Sequence, residues 1–562
     1  VKDKLDVARA LREIGRLLAL KGENPFRARA YETGARAVEE LREELGTLVD
    51  EARLTDASGI GPALAATIAE LWSTGRSEQL ERLRTELPPG AIELAEVPGL
   101  SLKKIQQLSA ALGIDSVAAL KRACEEGRLT DVKGFGDKTQ RRILEGIERW
   151  ERRDERVRLV DALDDAEAIR AFLAADAAAL QVEIVGSVRR WQETVSDVDL
   201  VAASDAPGEL HQRLLSYPAV TRTVVEEPNR TIVRLSNGLH VELHVVPAAE
   251  LAPALVRLTG SRAHVARLEA LAVAREVTHD APARDEAEVY ARLGLAYVAP
   301  ELREDRGEIE AALDGSVPQD LVAIGDVRGM THCHTVYSDG KATIEEMARE
   351  AEAMGMQYLT ITDHSPAAHY AGGVTLDRLE RQWDEIARVQ EQVKVRLLRG
   401  TESDILEDGA LDYPDAVLEK LDVVIASIHS RMKMDEAAMT RRLVAAMRQP
   451  VFKIWGHALG RLILRRDPFA CRVEEVLDAI AESRAAIEIN GDPYRLDLAP
   501  EWAQAARARG IKFVISTDAH STAGMHNLRF GVHTARRGWI RRGDVLNALG
   551  PDEFVRAVRP AG

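Results

Sequence analysis

The chain lacks any uninterrupted apolar run of about 18 residues, so no segment is expected to span a membrane. Cysteine is scarce. Cys124, Cys333 and Cys471 are odd in number and far apart, which argues against a disulfide framework and for a reducing cytoplasm. An excess of positive charge is missing too: 75 Lys and Arg face 91 Asp and Glu, a net charge of −16. Net charge governs steering and solubility, and leaves room for a local basic groove. The opening residues, VKDKLDVARALREIGRLLAL, space charges through apolar positions at helical intervals, unlike a signal peptide. What is present is 562 residues with 46% apolar and 30% charged side chains, too long for one core and ordinary for a folded multidomain protein.

The first 150 residues read as short amphipathic helices separated by glycine turns. Three segments recur, LTDASGIGPALAATI (54–68), LAEVPGLSLKKIQQL (94–108) and LTDVKGFGDKTQRRI (129–143). Gly59 and Gly61, and Gly134 and Gly136, each flank one apolar residue; the middle copy has Gly99 but Ser101 in the second place. Such glycines let a ligand approach the backbone, and the helix that follows offers free N–H groups to an anion. The segments resemble helix-hairpin-helix motifs, which grip a nucleic-acid backbone without reading sequence.

From about residue 180 the period changes to strand-like alternation, in LQVEIVGSVRRW, SDVDLVAA and GLHVELHVV. TVSDVDLVAA (194–203) places Asp197 and Asp199 on one strand face, where two carboxylates repel unless a cation or proton lies between them. That is either a solvated edge strand or a divalent-metal clamp. Upstream, Gly186 and Ser187 follow a strand and, with Arg190, suit a triphosphate.

Residues 250–315 return to helical patterning, and a Pro- and Gly-bearing stretch follows as a connector. Beyond it apolar runs alternate with helical segments: VRGMTHCH, MQYLTITDH, VRLLRGTE, LDVVIASIH, FKIWGH, AAIEIN and IKFVISTDAH. All but AAIEIN, which ends in Asn490, finish in His, Asp or Glu, as a β/α barrel with a metal centre at its mouth requires. His332 and His334, like Asp518 and His520, are spaced i, i+2; Asp339, His364, Glu402, His429 and His457 complete the set. Mixed imidazole and carboxylate donors suit zinc or manganese better than calcium.

The motifs THCHTVYSDG, ITDHS, GTESDIL, ASIHS, GHALGRL and STDAHS resemble those of the polymerase-and-histidinol-phosphatase (PHP) family of metal hydrolases. The resemblance implies a distorted β/α barrel with up to three Mn²⁺ or Zn²⁺ ions. One is expected on His332, His334, Glu402 and Asp518, a second on Asp339, His364 and His520, and a third on Glu402, His429 and His457. Arg431, Arg461 and Arg465 are candidate phosphate contacts.

GSVRRWQETVSDVDLV (186–201) resembles the nucleotidyltransferase signature of family X DNA polymerases. That implies an α+β palm in which Asp197, Asp199 and Glu242 hold two Mg²⁺ or Mn²⁺ ions with a deoxynucleoside triphosphate. Glu242 stands where the family has aspartate. GENPFRARAYE, LTGSRAH and VYARLGLAYVAPELRE extend the likeness to almost the whole chain, with Arg27, Arg29 and Tyr31 as contacts to a 5′-phosphate. Ala63 and Thr67 occupy the positions of a Schiff-base lysine, so lyase activity is not expected. Arg257, Leu258, Val265 and Ser196 are further departures, bearing on sugar selection and fidelity.

The expected order is an N-terminal helical gap-binding domain (1–90), a helix-hairpin-helix domain (91–150), palm (151–248), thumb (249–310), linker (311–325) and PHP domain (326–562). The implied protein is a monomeric, cytoplasmic bacterial repair enzyme acting on gapped or nicked DNA. It would combine polymerisation with 3′→5′ exonuclease activity, or with the related abasic-site cleavage or 3′-phosphatase chemistry. The alternative is a hydrolase whose palm is an inert DNA cradle.

Overall fold

The computed structural model describes residues 4–22, 25–39, 45–57, 59–88, 90–95, 97, 100–151, 156–278 and 280–559. These form two compact units, Val1–Glu155 and Arg156–Gly562.

The first unit is helical. Helices Lys4–Leu20, Pro25–Glu39, Pro62–Thr74, Leu102–Leu112, Val117–Glu125 and Asp137–Glu151 bury one apolar cluster running from Val7 to Ile147. Ile60 and Phe135, the apolar residues between the glycines, are buried in it, while Gly59, Gly61, Gly134 and Gly136 face solvent. Gly59 and Gly134 have φ of +91° and +94°, where a Cβ is disfavoured. The middle residue thus anchors the turn and its flanking glycines present backbone outward. Gly99 lies outside the described residues.

The second unit holds two large sheets and a two-stranded one with helices around them. The first contains β2 (Gln181–Ile184), β4 (Asp197–Ala203), β5 (Val220–Glu227), β6 (Arg230–Leu235) and β7 (His240–Val246), in the order β2-β4-β7-β6-β5. β1 (Val157–Arg158) and β3 (Thr194–Val195) pair beside it. β4 and β7 run parallel with Asp199 opposite Glu242. Helices Leu251–Thr259 and Arg262–Ala274 follow.

The second sheet is seven-stranded, parallel and in sequence order: β8 (Gly329–Met330), β9 (Tyr358–Ile361), β10 (Arg396–Asp404), β11 (Val423–Ser427), β12 (Lys453–Trp455), β13 (Ala485–Asn490) and β14 (Phe513–Ser516). Every residue of β9, β11, β12 and β14 is buried, which is why they read as unbroken apolar runs. A bridge between Cys333 and Ala519 joins the chain beyond β8 to that beyond β14 and nearly closes the barrel at its mouth.

The stretch 311–325 is not a free connector. It begins within helix Glu308–Asp314, buries Val317 and Val322, and Val322 N–H donates to the Ile540 carbonyl at 3.1 Å. Palm and barrel also share a core: Ile463, Leu496 and Phe530 join the apolar cluster of the palm. Trp191 stacks on His533 at 3.7 Å between ring centroids, and Arg461 donates to both oxygens of Glu193 at 3.0 and 2.8 Å.

Candidate active sites

In the palm, β2 leads into the short turn Gly186–Arg189, tied to β4 by the bond from Val185 N–H to the Asp199 carbonyl at 2.8 Å. Gly186 has φ +63°, and a Cβ there would stand 1.9 Å from Asp199 Oδ2. Only glycine brings this turn so close to the carboxylate. Ser187 Oγ is buried with no hydrogen-bond partner among the described residues, as a hydroxyl waiting for a phosphate oxygen would be. Burial first, then repulsion from Asp197 and Glu242, pushes the Asp199 carboxyl up to about 7. This is the signature of acids grouped for a cation.

Glu242 faces the same cluster but is engaged elsewhere. His244 Nε2 lies 2.6 Å from its Oε1, and Arg230 donates to both oxygens at 2.7 and 3.3 Å. The His244 bond, assisted by Arg230 and opposed by burial, holds Glu242 down at about 2. Asp197 and Asp199 stand on one face of β4, while the third carboxylate is already paired; among the described residues the three do not bring donor atoms close enough together to share an ion. Arg190, expected on the triphosphate, instead donates to Glu304 at 2.7 Å and to the Thr259 carbonyl. These bonds engage Nε and Nη1, and the charge of the guanidinium still acts on the Asp199 carboxyl, drawing it down.

At the barrel mouth the nine expected side chains cluster, with Glu402, the buried carboxylate on β10, at their centre. Its Oε1 lies 2.8 Å from His457 Nε2 and 3.4 Å from His429 Nε2; its Oε2 lies 2.9 Å from His364 and 3.5 Å from His332 and from His334. Asp518 Oδ1 is 3.2 Å from His334 and 3.5 Å from His332, and Asp339 Oδ1 is 3.3 Å from His520 and 3.6 Å from His364. Three groups bring donor atoms close enough to share an ion: His334, Asp339, His364 and His520; His332, His334 and Asp518; and His364, Glu402 and His429. His334 and His364 thus lie between groups that the sequence motifs separate, and His457 adjoins through Glu402.

Glu402 Oε2 and His364 Nδ1, though 2.9 Å apart, are not aligned for a hydrogen bond, and with His457 Nδ1 they are buried without hydrogen-bond partners among the described residues. Left so, such atoms cost free energy; divalent ions would satisfy the carboxylate and His364. His457 and Asp518 adopt φ of +25° and +52°, strain of the kind that collects at functional sites.

A supporting layer escaped the sequence reading. Glu488, on β13, lies 2.5 Å from His332 Nδ1 and accepts from His457 N–H at 2.5 Å. Asp404 binds His429 Nδ1, and the Asp518 carbonyl binds His520 Nδ1 at 2.8 Å. These partners hold the rings of His332, His429 and His520 at Nδ1 so that Nε2 faces the centre, while Glu488 holds His457 only through its backbone N–H. The i, i+2 spacing of Glu402 with Asp404, and of Glu488 with Asn490, was the available signal.

Other candidates are placed differently. Tyr31 is buried, its hydroxyl donating to Gln79 at 2.6 Å, so it belongs to the helical core; Arg27 and Arg29 are exposed. Arg461 is consumed by Glu193 and the Leu496 carbonyl rather than facing the mouth. Arg431 pairs with Glu407 at 2.8 Å, and Arg465 is exposed on the loop after β12.

Helix-hairpin-helix turns, a palm sheet and a PHP-type barrel in one chain make the architecture of a polymerase fused to a metal phosphoesterase. Residues 2–77 match the helix-hairpin-helix domain family, 91–149 the SAM-like helix-hairpin-helix tandem, and 331–492 the PHP domain. The DNA polymerase/3′-5′ exonuclease PolX of Bacillus subtilis (strain 168) is 34% identical over 560 residues, 97% of each chain. Probable phosphatases of Caldanaerobacter subterraneus and Thermoanaerobacter sp. (strain X514) are 33% and 32% identical over 34% and 39% of this chain, and 75% and 89% of their own. The chain belongs to the bacterial family X DNA polymerases that carry a C-terminal PHP domain.

Proposed function

We propose that this protein is a monomeric bacterial repair enzyme that works in the cytoplasm on gapped or nicked DNA. The palm adds deoxynucleotides, and the barrel removes nucleotides from 3′ ends. Abasic-site cleavage and 3′-phosphate removal are related chemistries of the same mouth. The carrying observation is the clustering of six imidazoles and two carboxylates around buried Glu402, with partnerless donor atoms among them.

Divalent ions, Mn²⁺ or Zn²⁺ at the barrel and Mg²⁺ or Mn²⁺ at the palm, would activate the attacking oxygen and neutralise phosphate charge. In the barrel, Glu402, Asp518 and Asp339 would hold the cations with the six histidines, and Glu488 and Asp404 keep the rings of His332 and His429 turned inward. In the palm, Asp197 and Asp199 hold cations, Gly186 admits the phosphates and Ser187 donates to them. Gly59, Gly61, Gly134 and Gly136 present backbone N–H groups to DNA phosphates, with Arg27 and Arg29 adding charge.

One observation favours a second reading, an inert palm: Glu242 is held by Arg230 and His244. The test is a 5′-labelled duplex with a one-nucleotide gap, incubated with Mn²⁺ with and without deoxynucleotides. Extension that requires nucleotides supports the working palm and is lost in Asp197→Ala. Shortening in both conditions without extension supports the inert palm. No shortening in either would refute the barrel assignment.

A further inference from the structure

An aromatic ring stands in the open beside the metal-ligand cluster. Tyr370, in the short turn His369–Ala371 after β9, is 71% exposed. Single exposed apolar side chains are common and need no explanation. The position of this one does: its ring centroid lies 6.2 Å from that of His364 and 6.1 Å from that of His429. Two arginines come to the same rim from other loops. Arg495, after β13, has its Nε 3.5 Å from Asp518 Oδ2. Arg466, after β12, is exposed, and its Nε donates to the Gly460 carbonyl at 2.9 Å.

The two arginine loops are pinned together: Ile463 N–H donates to the Tyr494 carbonyl at 2.8 Å, and Arg461 Nε to the Arg495 carbonyl at 2.9 Å. Arg466 and Arg495 repel one another, and both lie within electrostatic reach of the Tyr370 phenol. Two like charges held together beside an unstacked ring match the two parts of a nucleotide: a π-face for the base, and fixed positive charge for phosphate.

We propose that Tyr370, Arg466 and Arg495 form a subsite for the 3′-terminal nucleotide of single-stranded or frayed DNA. The base stacks on Tyr370 and the arginines hold the adjoining phosphate at the mouth. This rests on the hydrolytic reading of the barrel. The subsite selects for the presence of a base and tolerates its identity, because every base offers a π-face.

The test uses the full-length protein with Mn²⁺ and two labelled single strands, one ending in an ordinary 3′ nucleotide, the other in a 3′ tetrahydrofuran residue that lacks the base. The wild type is expected to favour the base-bearing end by roughly five- to hundredfold in kcat/KM. Tyr370→Ala should collapse that ratio, Tyr370→Phe should keep it, and Arg466→Gln should raise KM for both ends alike. Binding of a strand ending in 2-aminopurine, measured in EDTA, should quench fluorescence with the wild type and not with Tyr370→Ala. An unchanged ratio and unchanged quenching in Tyr370→Ala would overturn the subsite while leaving the hydrolase reading in place. A wild type that shortens neither strand would refute that reading, and the role of the subsite with it.

Discussion

Gly186→Ala tests whether the turn after β2 is shaped by the carboxylate it meets. Two costs add. An L-residue held at φ +63° loses about 1–2 kcal/mol relative to glycine. The new Cβ would also sit 1.9 Å from Asp199 Oδ2, far inside any real contact, so the carboxylate or the strand must give way at about 1–3 kcal/mol. The sum is about 2–5 kcal/mol. Displacing Asp199 by about 1 Å should cost polymerisation about a hundredfold. Denaturant unfolding followed by tryptophan fluorescence reads the first effect, and primer extension on gapped DNA the second. Gly208→Ala is the control, since an added Cβ there meets nothing within 4 Å. An unshifted midpoint with wild-type extension in Gly186→Ala would refute the reasoning.

Gly61→Ala and Gly136→Ala should fold normally, since their Cβ atoms meet nothing within 4 Å, yet weaken gapped-DNA binding in a salt titration by blocking close phosphate approach. Unchanged affinity would remove these turns from the DNA interface. Glu301 is held at about 2 against its burial by His533 and Arg536; His533 is itself lowered by burial, so the ionic partner is Arg536. A depressed carboxylate stabilises above its unfolded value and loses that contribution as pH falls. The wild type should therefore lose up to about 3 kcal/mol between pH 4.5 and 2, and Glu301→Gln should flatten that part of the stability profile; an equally steep profile would contradict this. Asp199, raised to about 7, works in the opposite sense: without divalent ions stability falls as pH rises from about 4 to 7, because the folded state retains the proton. Asp197→Asn should raise metal-free stability at neutral pH and abolish extension; a lower midpoint would argue against carboxylate repulsion.

The barrel was legible because two regularities coincide. Parallel strands buried on both faces spell continuous apolar runs, and the C-terminal ends of those strands carry the ligands. The i, i+2 rule pairs His332 with His334 and Asp197 with Asp199 from spacing alone. It could equally have marked Glu488 and Asp404, but an acid between apolar residues reads as a strand edge until its partner ring is known. Arginine roles were not legible. Arg190, Arg461 and Arg230 find acids 114, 268 and 12 residues away, and a long side chain takes whichever carboxylate the tertiary fold brings within reach. Tyr31 failed for a related reason: its neighbours Arg27 and Arg29 suggested a polar surface, while its own helix face turns into the core.

Palm and barrel are joined by more than the chain between them. Glu193 stands four residues before Asp197, and Arg461 four after His457, so their ion pair ties the strand of one candidate site to a ligand loop of the other. Arg461 continues to the Arg495 carbonyl, and Arg495 reaches Asp518. Phe530, Ile463 and Leu496 fill the palm cluster from the barrel side, so separating the two would expose apolar surface on both. A charge pair alone could open at little cost. Apolar burial around it, with Trp191 stacked on His533, makes the junction a packed core. The stretch 311–325 is likewise tied down, packing against Val256, Leu268 and Trp539 and bonding to the Ile540 carbonyl. Polymerisation and hydrolysis are then functions of one folded body, whose two mouths stand at a separation set by shared packing.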